Sequence, residues 1–264
     1  MRKIFLFDID GSILDTANGD FTLTPELSNS IKTLRSTGNI TAVCTARPKQ
    51  FVSYNLPDIF DCYILLNGSY VEVDNNILID DPFSLESINK ITHHFNSLNI
   101  SYILIGNYSC RAYNIPSRYK DFLNRIYMAG EAYTQFFQAD DNKFYAIDLF
   151  FENNAEYDRV YSFLRSDKRI TINHFQGDYT ADISFTGKNK SHAIPRVLEY
   201  YGIDIVDSFA FGDSLNDLDV FKLVPNTCAV ANAIPILKEN ASYVSSKRVG
   251  DGILDGLKFW GYCS

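Results

Sequence analysis

The chain has no basic block. Lys and Arg number 24 against 32 Asp and Glu, a formal net charge of −8 over 264 residues. That excludes an extended nucleic-acid surface, while a small basic pocket for an anion stays possible. Paired cysteines are also missing. Cys44, Cys62, Cys110, Cys228 and Cys263 are scattered with no CxxC. This argues against a disulfide framework or zinc site and fits a reducing compartment. No apolar run approaches the roughly 20 residues of a membrane span. Only four apolar residues separate Met1-Arg2-Lys3 from Asp8, too few for a signal-peptide core. The expectation is a soluble, cytoplasmic protein with no membrane partner. His93, His94, His174 and His192 show no metal-ligand spacing, so packing or solvated roles are expected. Repeats, low-complexity tracts and long linkers are absent. What is present is apolar content of 46%, enough for a substantial core. The length suits one large domain or two smaller ones.

The stretch Phe5 to Leu14 reads FLFDIDGSIL. The apolar run Ile4 to Phe7 has the character of a buried strand in a parallel sheet. It delivers two acids, Asp8 and Asp10, and stops at Gly11-Ser12. Ligands gather at the carboxyl ends of such strands. Paired acids there are costly unless something cationic meets them. A divalent metal together with a phosphate-bearing substrate would account for that cost.

Along the chain, Thr24-Pro25 signals a helix start, with Leu27, Ile31 and Leu34 at helical spacing and Gly38 at its end. Strands are expected over Ile40 to Cys44 and Tyr63 to Leu66, with a short helix through Phe51 and Tyr54 between them. Asn67-Gly68 is a turn signal, and Val71 to Val73 with Ile77 to Ile79 forms a hairpin. From about Pro82 to Phe185 the texture becomes α+β and dense in aromatics. Helices are expected through Leu85, Ile88, Ile91, Phe95 and Leu98, over Tyr119 to Met128, and through Tyr157, Val160 and Leu164. Strands are expected over Ser101 to Ile105, Arg111 to Tyr113, Phe144 to Phe151, Ile170 to Phe175 and Asp182 to Phe185. Strand and helix then alternate again: Ser191 to Tyr201 helical, Phe209 to Phe211 a strand, Asp217 to Leu223 helical, Thr227 to Val230 a strand, then a helix starting at Ile234 to Leu237, with Ile253 to Phe259 closing the chain. The expected fold is α/β. A Rossmann-like parallel-sheet core (residues 1–81 and 186–264) carries an inserted α+β cap (82–185).

Four polar clusters fall at expected strand ends or helix starts: Asp8/Asp10/Ser12, Thr45/Arg47, Lys188 or Lys190, and Asp213/Asn216/Asp217. A parallel sheet would gather its strand ends on one edge. Carboxylates suit a hard, oxygen-liganded cation such as Mg²⁺. Hydroxyls, a lysine and helix-start N–H groups suit a phosphate.

The order FDIDGSIL, a hydroxyl residue, a lysine, then GDSLND resembles the four motifs of the haloacid dehalogenase superfamily. With the insert between the second and third motifs and the LLNGS segment, it is similar to the Cof-type sugar-phosphatase branch with a large α/β cap. The resemblance runs along essentially the whole chain. It implies Asp8 as nucleophile, forming an aspartyl-phosphate, and Asp10 as general acid and then base. It implies Mg²⁺ held by Asp8, the Asp10 backbone carbonyl and Asp213, with Asn216 and Asp217 orienting the ion's waters and the lysine. Thr45 and a lysine would meet the phosphoryl oxygens. Lys190-Ser191-His192-Ala193 fits the family's lysine pattern, so Lys190 is chosen and Lys188 is left as a solvated cation. The candidate set is therefore Asp8 and Asp10 for catalysis. Ser12, Thr45, Arg47, Asn67, Lys190 and Asn216 are the candidates for phosphate and substrate, and Asp8, Asp10, Asp213 and Asp217 for metal. Plain structural readings stand beside these: Thr45 and Asp217 as helix caps, Arg47 as a surface cation, Asn67-Gly68 as a turn. Ala46, Ser191 and Ala231 stand where the family often has Gly, which bears on local phosphate-loop geometry.

The expected activity is Mg²⁺-dependent hydrolysis of a small phosphorylated metabolite, a sugar phosphate by resemblance. The cap would supply leaving-group contacts, with Arg111, Tyr113, Arg118 and Asp178 as candidates. The protein is expected to act as a monomer or weak dimer. Two alternatives remain open: a phosphomannomutase-like phosphomutase, and a non-catalytic binding protein that retains the fold.

Overall fold

The computed structural model describes residues 2–119, 143–175 and 179–263. They divide into two compact units, one of residues 1–47, 52–80 and 189–264, the other of 48–51 and 81–188. The placement of Pro48–Phe51 with the inserted unit was not expected from the sequence.

The first unit is built on an eight-stranded sheet in the order β13-β12-β11-β1-β2-β3-β4-β5. Its strands are β1 (Ile4–Phe7), β2 (Ile40–Cys44), β3 (Cys62–Leu65), β4 (Tyr70–Val73), β5 (Asn76–Asp80), β11 (Ser208–Gly212), β12 (Asn226–Ala229) and β13 (Tyr243–Val244). Pairing is parallel from β13 through β3 and antiparallel for β4 and β5. Every residue of β1, β2, β3 and β11 is buried, as expected of parallel strands covered on both faces.

The β1–β11 register is fixed by aromatic pairs. Phe5 lies opposite Phe209 and Phe7 opposite Phe211; the rings stack at 4.8 and 5.0 Å. Such cross-strand pairs stabilise a sheet, and a slip of one residue would turn every side chain to the other face. The register carries Asp8 to the end of β11, where its N–H donates to the Phe211 carbonyl at 3.0 Å.

The helices of this unit are α1 (Pro25–Ser36), α5 (Lys190–Tyr201), α6 (Leu218–Leu223), α7 (Pro235–Glu239) and α8 (Val249–Phe259). Helix α2 (Lys49–Asn55) falls across the division between the units. The Thr24 hydroxyl caps α1 and Pro25 occupies its first turn. Asp74 and Asn75 both have positive φ, 47° and 63°, the backbone a two-residue hairpin turn requires.

The second unit holds a five-stranded antiparallel sheet, β7-β6-β8-β10-β9. Its strands are β6 (Ser101–Ile105), β7 (Cys110–Tyr113), β8 (Ala146–Phe150), β9 (Ile170–Phe175) and β10 (Thr180–Phe185). Helices α3 (Leu85–Ser97) and α4 (Asn154–Leu164) join it in one core containing Ile88, Ile91, Phe95, Ile147, Leu149, Val160 and Ile183.

Several sequence expectations shift. Leu85, expected on the buried helix face, is 62% exposed; as the first residue after the Ser84 cap it lies before the inward stripe begins. Leu66 leaves β3 with φ 52°. Strand β13 and helix α8 were not anticipated. Beyond its first residue, the helix expected over Tyr119 to Met128 lies outside the described residues; Tyr119 itself ends a 3-10 turn. Among the described residues, no helix is long and apolar enough to cross a membrane.

Candidate active site

At the carboxyl edge of the parallel strands, β1 ends in Asp8, β2 in Thr45 and β11 in Gly212-Asp213. The start of α5 supplies Lys190. Lys190 is 1% exposed, and its ammonium donates to Asp8 Oδ1 at 2.5 Å and to Asp217 Oδ1 at 2.7 Å. The other oxygen of Asp217 accepts from the N–H groups of Asp213 and Ser214, each at 3.1 Å. Asp217 therefore caps the turn and holds the lysine at once. Ser12 donates to Asp213 Oδ1 at 3.3 Å. Asp8, Asp213 and Asp217 each place a carboxylate oxygen within 4.8 Å of the others.

Two glycines make this closeness possible. A Cβ on Gly11, whose φ is +78°, would lie 2.2 Å from Asp213 Oδ2, and one on Gly212 would lie 2.6 Å from Asp217 Cγ. Neither was singled out from sequence, although both sit inside the DxDG and GDxxND motifs that signalled the site.

The electrostatics are unbalanced. Burial pushes the Asp8 carboxyl well above the ordinary range, Lys190 opposes this, and Asp217 and Asp213 add to it. Burial and then Asp217 push Asp213 up to about 7. Burial works against the charge of Lys190, yet Asp217 and Asp8 outweigh it and hold the ammonium protonated. One ammonium thus faces three clustered carboxylates. The donor set is oxygen, hard and anionic, and its excess negative charge fits a small divalent cation of the Mg²⁺ kind.

Asp10 is handled separately. Arg47 donates to both its oxygens, Nε at 2.9 Å and a terminal nitrogen at 2.6 Å. Burial opposes the Asp10 charge, but the charge and hydrogen bonds of Arg47 prevail and its carboxyl titrates below the ordinary range. Arg47, assigned from sequence to substrate or phosphate, is here the partner of Asp10. A bidentate fork of this kind fixes orientation as well as charge. The Thr45 hydroxyl accepts from the Arg47 N–H at 3.1 Å, and its own proton can still be donated.

Other candidates lie apart. Asn216 is exposed, and its side-chain oxygen accepts from Ser214 at 2.7 Å; Lys190 donates to Asp8 and Asp217. Asn67 has φ 53° and its N–H donates to the Thr45 carbonyl at 3.2 Å. Its Oδ1 is buried with no hydrogen-bond partner among the described residues. Lys188, expected to be solvated, pairs with Asp81 and lies 4.7 Å from the Phe185 ring centroid. In the inserted unit, Arg118 pairs with Glu152 and donates to the Phe151 carbonyl at 2.7 Å. Arg111 lies over Phe144 and Tyr113 stacks on Tyr102. Asp178 lies outside the described residues. His94 and His174 stack on Phe163 and Tyr157 at 3.7 and 3.5 Å, the packing role expected of them.

Comparison with known proteins places the chain in a family. The family profile of haloacid dehalogenase-like hydrolases matches residues 5–257. YkrA of Bacillus subtilis (strain 168), which carries a phosphatase designation, is 24% identical over 97% of this chain and 96% of that protein. A crystal structure of a protein from Geobacillus kaustophilus HTA426 superposes with a TM-score of 0.85 at 25% identity, covering 99% of this chain and all of that one. The fold is shared as well with BT4131, described as a subclass IIB sugar phosphatase, at a TM-score of 0.76 and 19% identity, covering 98% of this chain and 99% of that one.

Proposed function

The chain belongs to the haloacid dehalogenase-like hydrolase family and is a phosphatase of that family; from this premise we propose that it hydrolyses a small phosphorylated metabolite with Mg²⁺, through an aspartyl-phosphate on Asp8. The observation that carries the reading is the pairing of one buried lysine with Asp8 and Asp217 beside Asp213. The sugar-phosphatase description of BT4131 supports a sugar phosphate as the substrate class.

Asp8 is the nucleophile, attacking phosphorus through a carboxylate oxygen. Lys190 holds that carboxylate in place and offers positive charge to the phosphoryl oxygens as negative charge spreads over them. Thr45 donates its hydroxyl proton to one of those oxygens. Asp8, the Asp10 backbone carbonyl and Asp213 would hold Mg²⁺, which when bound offsets the repulsion between Asp8 and an incoming phosphate. Asp10, kept as a carboxylate by Arg47, is in the form that takes a proton from the hydrolytic water. The proton it takes from that water is the one it gives to the leaving oxygen of the next substrate, so the cycle balances. Asp217 fixes Lys190 and the Asp213 turn together.

The test is inorganic-phosphate release across a panel of metabolite monophosphates, with and without Mg²⁺, with Asp8→Asn as control. The expected result is Mg²⁺-dependent release from a subset that vanishes in Asp8→Asn. No release from any monophosphate contradicts the reading. Isomerisation that depends on a bisphosphate, with little free phosphate, would assign a phosphomutase instead.

A further inference from the structure

Asn232 follows β12 between two alanines and lies outside the four motifs. Its side-chain N–H donates to the Gly11 carbonyl at 2.7 Å, and its side-chain oxygen accepts from the Val249 N–H at 3.0 Å. Backbone groups on either side reach the third-motif loop. The Val230 N–H donates to the Gly212 carbonyl at 3.3 Å, and the Ile234 N–H to the Asp213 carbonyl at 2.9 Å. The segment 230–234 thus grips the turn that carries Asp213 through its backbone, and the turn that follows Asp8 and Asp10 through the Asn232 side chain.

The grip falls on a turn that is also tied within itself, the Gly11 N–H donating to the Leu14 carbonyl at 2.8 Å and the Ser12 N–H to the Ile9 carbonyl at 3.2 Å. Gly11 has φ +78°, a conformation glycine enters and leaves with little steric cost. The Gly11 carbonyl lies one peptide beyond the Asp10 carbonyl, so a shift at Gly11 is passed to Asp10 through the Gly11 φ, and toward Asp213 there is little room, since a Cβ on Gly11 would lie 2.2 Å from Asp213 Oδ2. The second bond of Asn232 ends on Val249, a β-branched residue with φ 46°, a true outlier for such a side chain. That strain sits at the first residue of α8, where the Asn232 oxygen satisfies an otherwise unpaired helix-start N–H.

We infer that Asn232 is a positioning residue for the reaction: its N–H donor fixes the Gly11 peptide and so sets the Asp8–Asp10 loop against Asp213 at the spacing a divalent cation needs. This rests on the phosphatase reading above. The two bonds of Asn232 can be separated chemically. Asn232→Asp keeps the oxygen that accepts from Val249 and loses the donor to Gly11, so the α8 start stays tied while the catalytic loop is released.

The experiment compares wild-type full-length protein with Asn232→Asp in three readouts: Mg²⁺ binding by calorimetry, steady-state phosphate release, and thermal melting. Removing a direct partner of metal ligands typically costs about 10- to 100-fold in affinity or activity, and Asn232 acts one residue from the Asp10 carbonyl, so about 10-fold is expected. The expected result is a fall of that size in Mg²⁺ affinity and in kcat with KM close to wild type, while Tm falls modestly because a carboxylate oxygen now faces the Gly11 carbonyl. Unchanged Mg²⁺ affinity and kcat in a folded Asn232→Asp overturn the inference alone. A wild type that neither binds Mg²⁺ nor releases phosphate overturns the underlying reading and this inference with it. Should Asn232→Asp fail to fold, the double variant Asn232→Ser/Val249→Gly, which gives up both bonds and removes the strain at α8, is read by the same criteria.

Discussion

The two sheets of this protein treat polar side chains in opposite ways. In the parallel sheet, β1, β2, β3 and β11 are buried along their whole length, and their chemistry is pushed to the ends: Asp8, Thr45 and Asp213. In the antiparallel sheet, polar residues interrupt the strands themselves. Asp148 and Asp182 lie directly opposite each other across β8 and β10, and Asn173 donates to Asp182 at 2.9 Å. A parallel sheet covered on both faces has only its ends on which to present function, whereas an antiparallel sheet can keep one face polar. The difference explains why the site concentrates charge that costs stability, while the inserted unit spends its polar groups on local partners.

The largest expected effect separates function from stability in the first unit. Asp8→Asn should lower phosphate release by on the order of 10⁴-fold or more. Its melting temperature should hold or rise, because one like charge leaves the cluster with Asp213 and Asp217. A marked loss of stability, measured by thermal melting without Mg²⁺, would mean that the Asp8–Lys190 bond is worth more than the repulsion it accompanies.

Next is the independence of the two cores. Phe95 is fully buried in the inserted core and Phe5 in the parallel one. Truncating either to Ala should cost about 3–5 kcal/mol. In urea titrations, Phe95→Ala should bring out an early transition that Phe5→Ala does not. One shared transition, displaced equally by both substitutions, would show that the units unfold as one.

Acid should probe the two regions at different pH. In the first unit, Asp255 accepts from Ser245 at 2.7 Å and Tyr243 at 2.8 Å, and these bonds lower its pKa. A carboxyl lowered in the fold adds stability that is present above the unfolded value of about 3.9 and lost as pH falls through the folded value. Asp255→Asn should cost about 1 kcal/mol at neutral pH and flatten the acid limb of the stability curve; an unchanged limb counts against the assignment.

In the inserted unit, burial and then His93 lower the pKa of His94, whose Nε2 is buried without a partner among the described residues. Here the unfolded chain takes up the proton first. Stability is complete above about pH 6.5 and declines as pH falls toward the lowered folded value. His94→Leu should remove that decline, an effect under about 1 kcal/mol; a decline that persists would place it elsewhere.

The sequence made the first unit more legible than the second, for physical reasons. Apolar strands ending in Asp, Thr or Gly-Asp mark both the strand and its functional end, so Asp8 and Asp213 stand out from their positions in the pattern, whereas Lys190 was preferred to Lys188 through the family resemblance. The Lys190 bonds to Asp8 and Asp217 are consistent with that choice. The Arg47–Asp10 fork was not legible, because nothing in TARP says which way a guanidinium turns. The clamp by Asn232 was hidden for the same reason: it joins residues 221 positions apart through one side chain. Leu85 was misplaced because an apolar residue just after a helix cap imitates the stripe that follows. In the inserted unit, the candidate ligand contacts Arg118 and Tyr113 pair with Glu152 and stack on Tyr102, neighbours the sequence did not indicate.

The central claim is that Asp8 forms a covalent phosphoryl intermediate. The direct measurement is acid quenching during turnover with Mg²⁺ and a substrate found in the phosphate-release panel, followed by peptide mass spectrometry. A phosphoryl adduct on Asp8, absent in Asp8→Asn, is the predicted result. Steady turnover with the adduct on another residue would contradict the account.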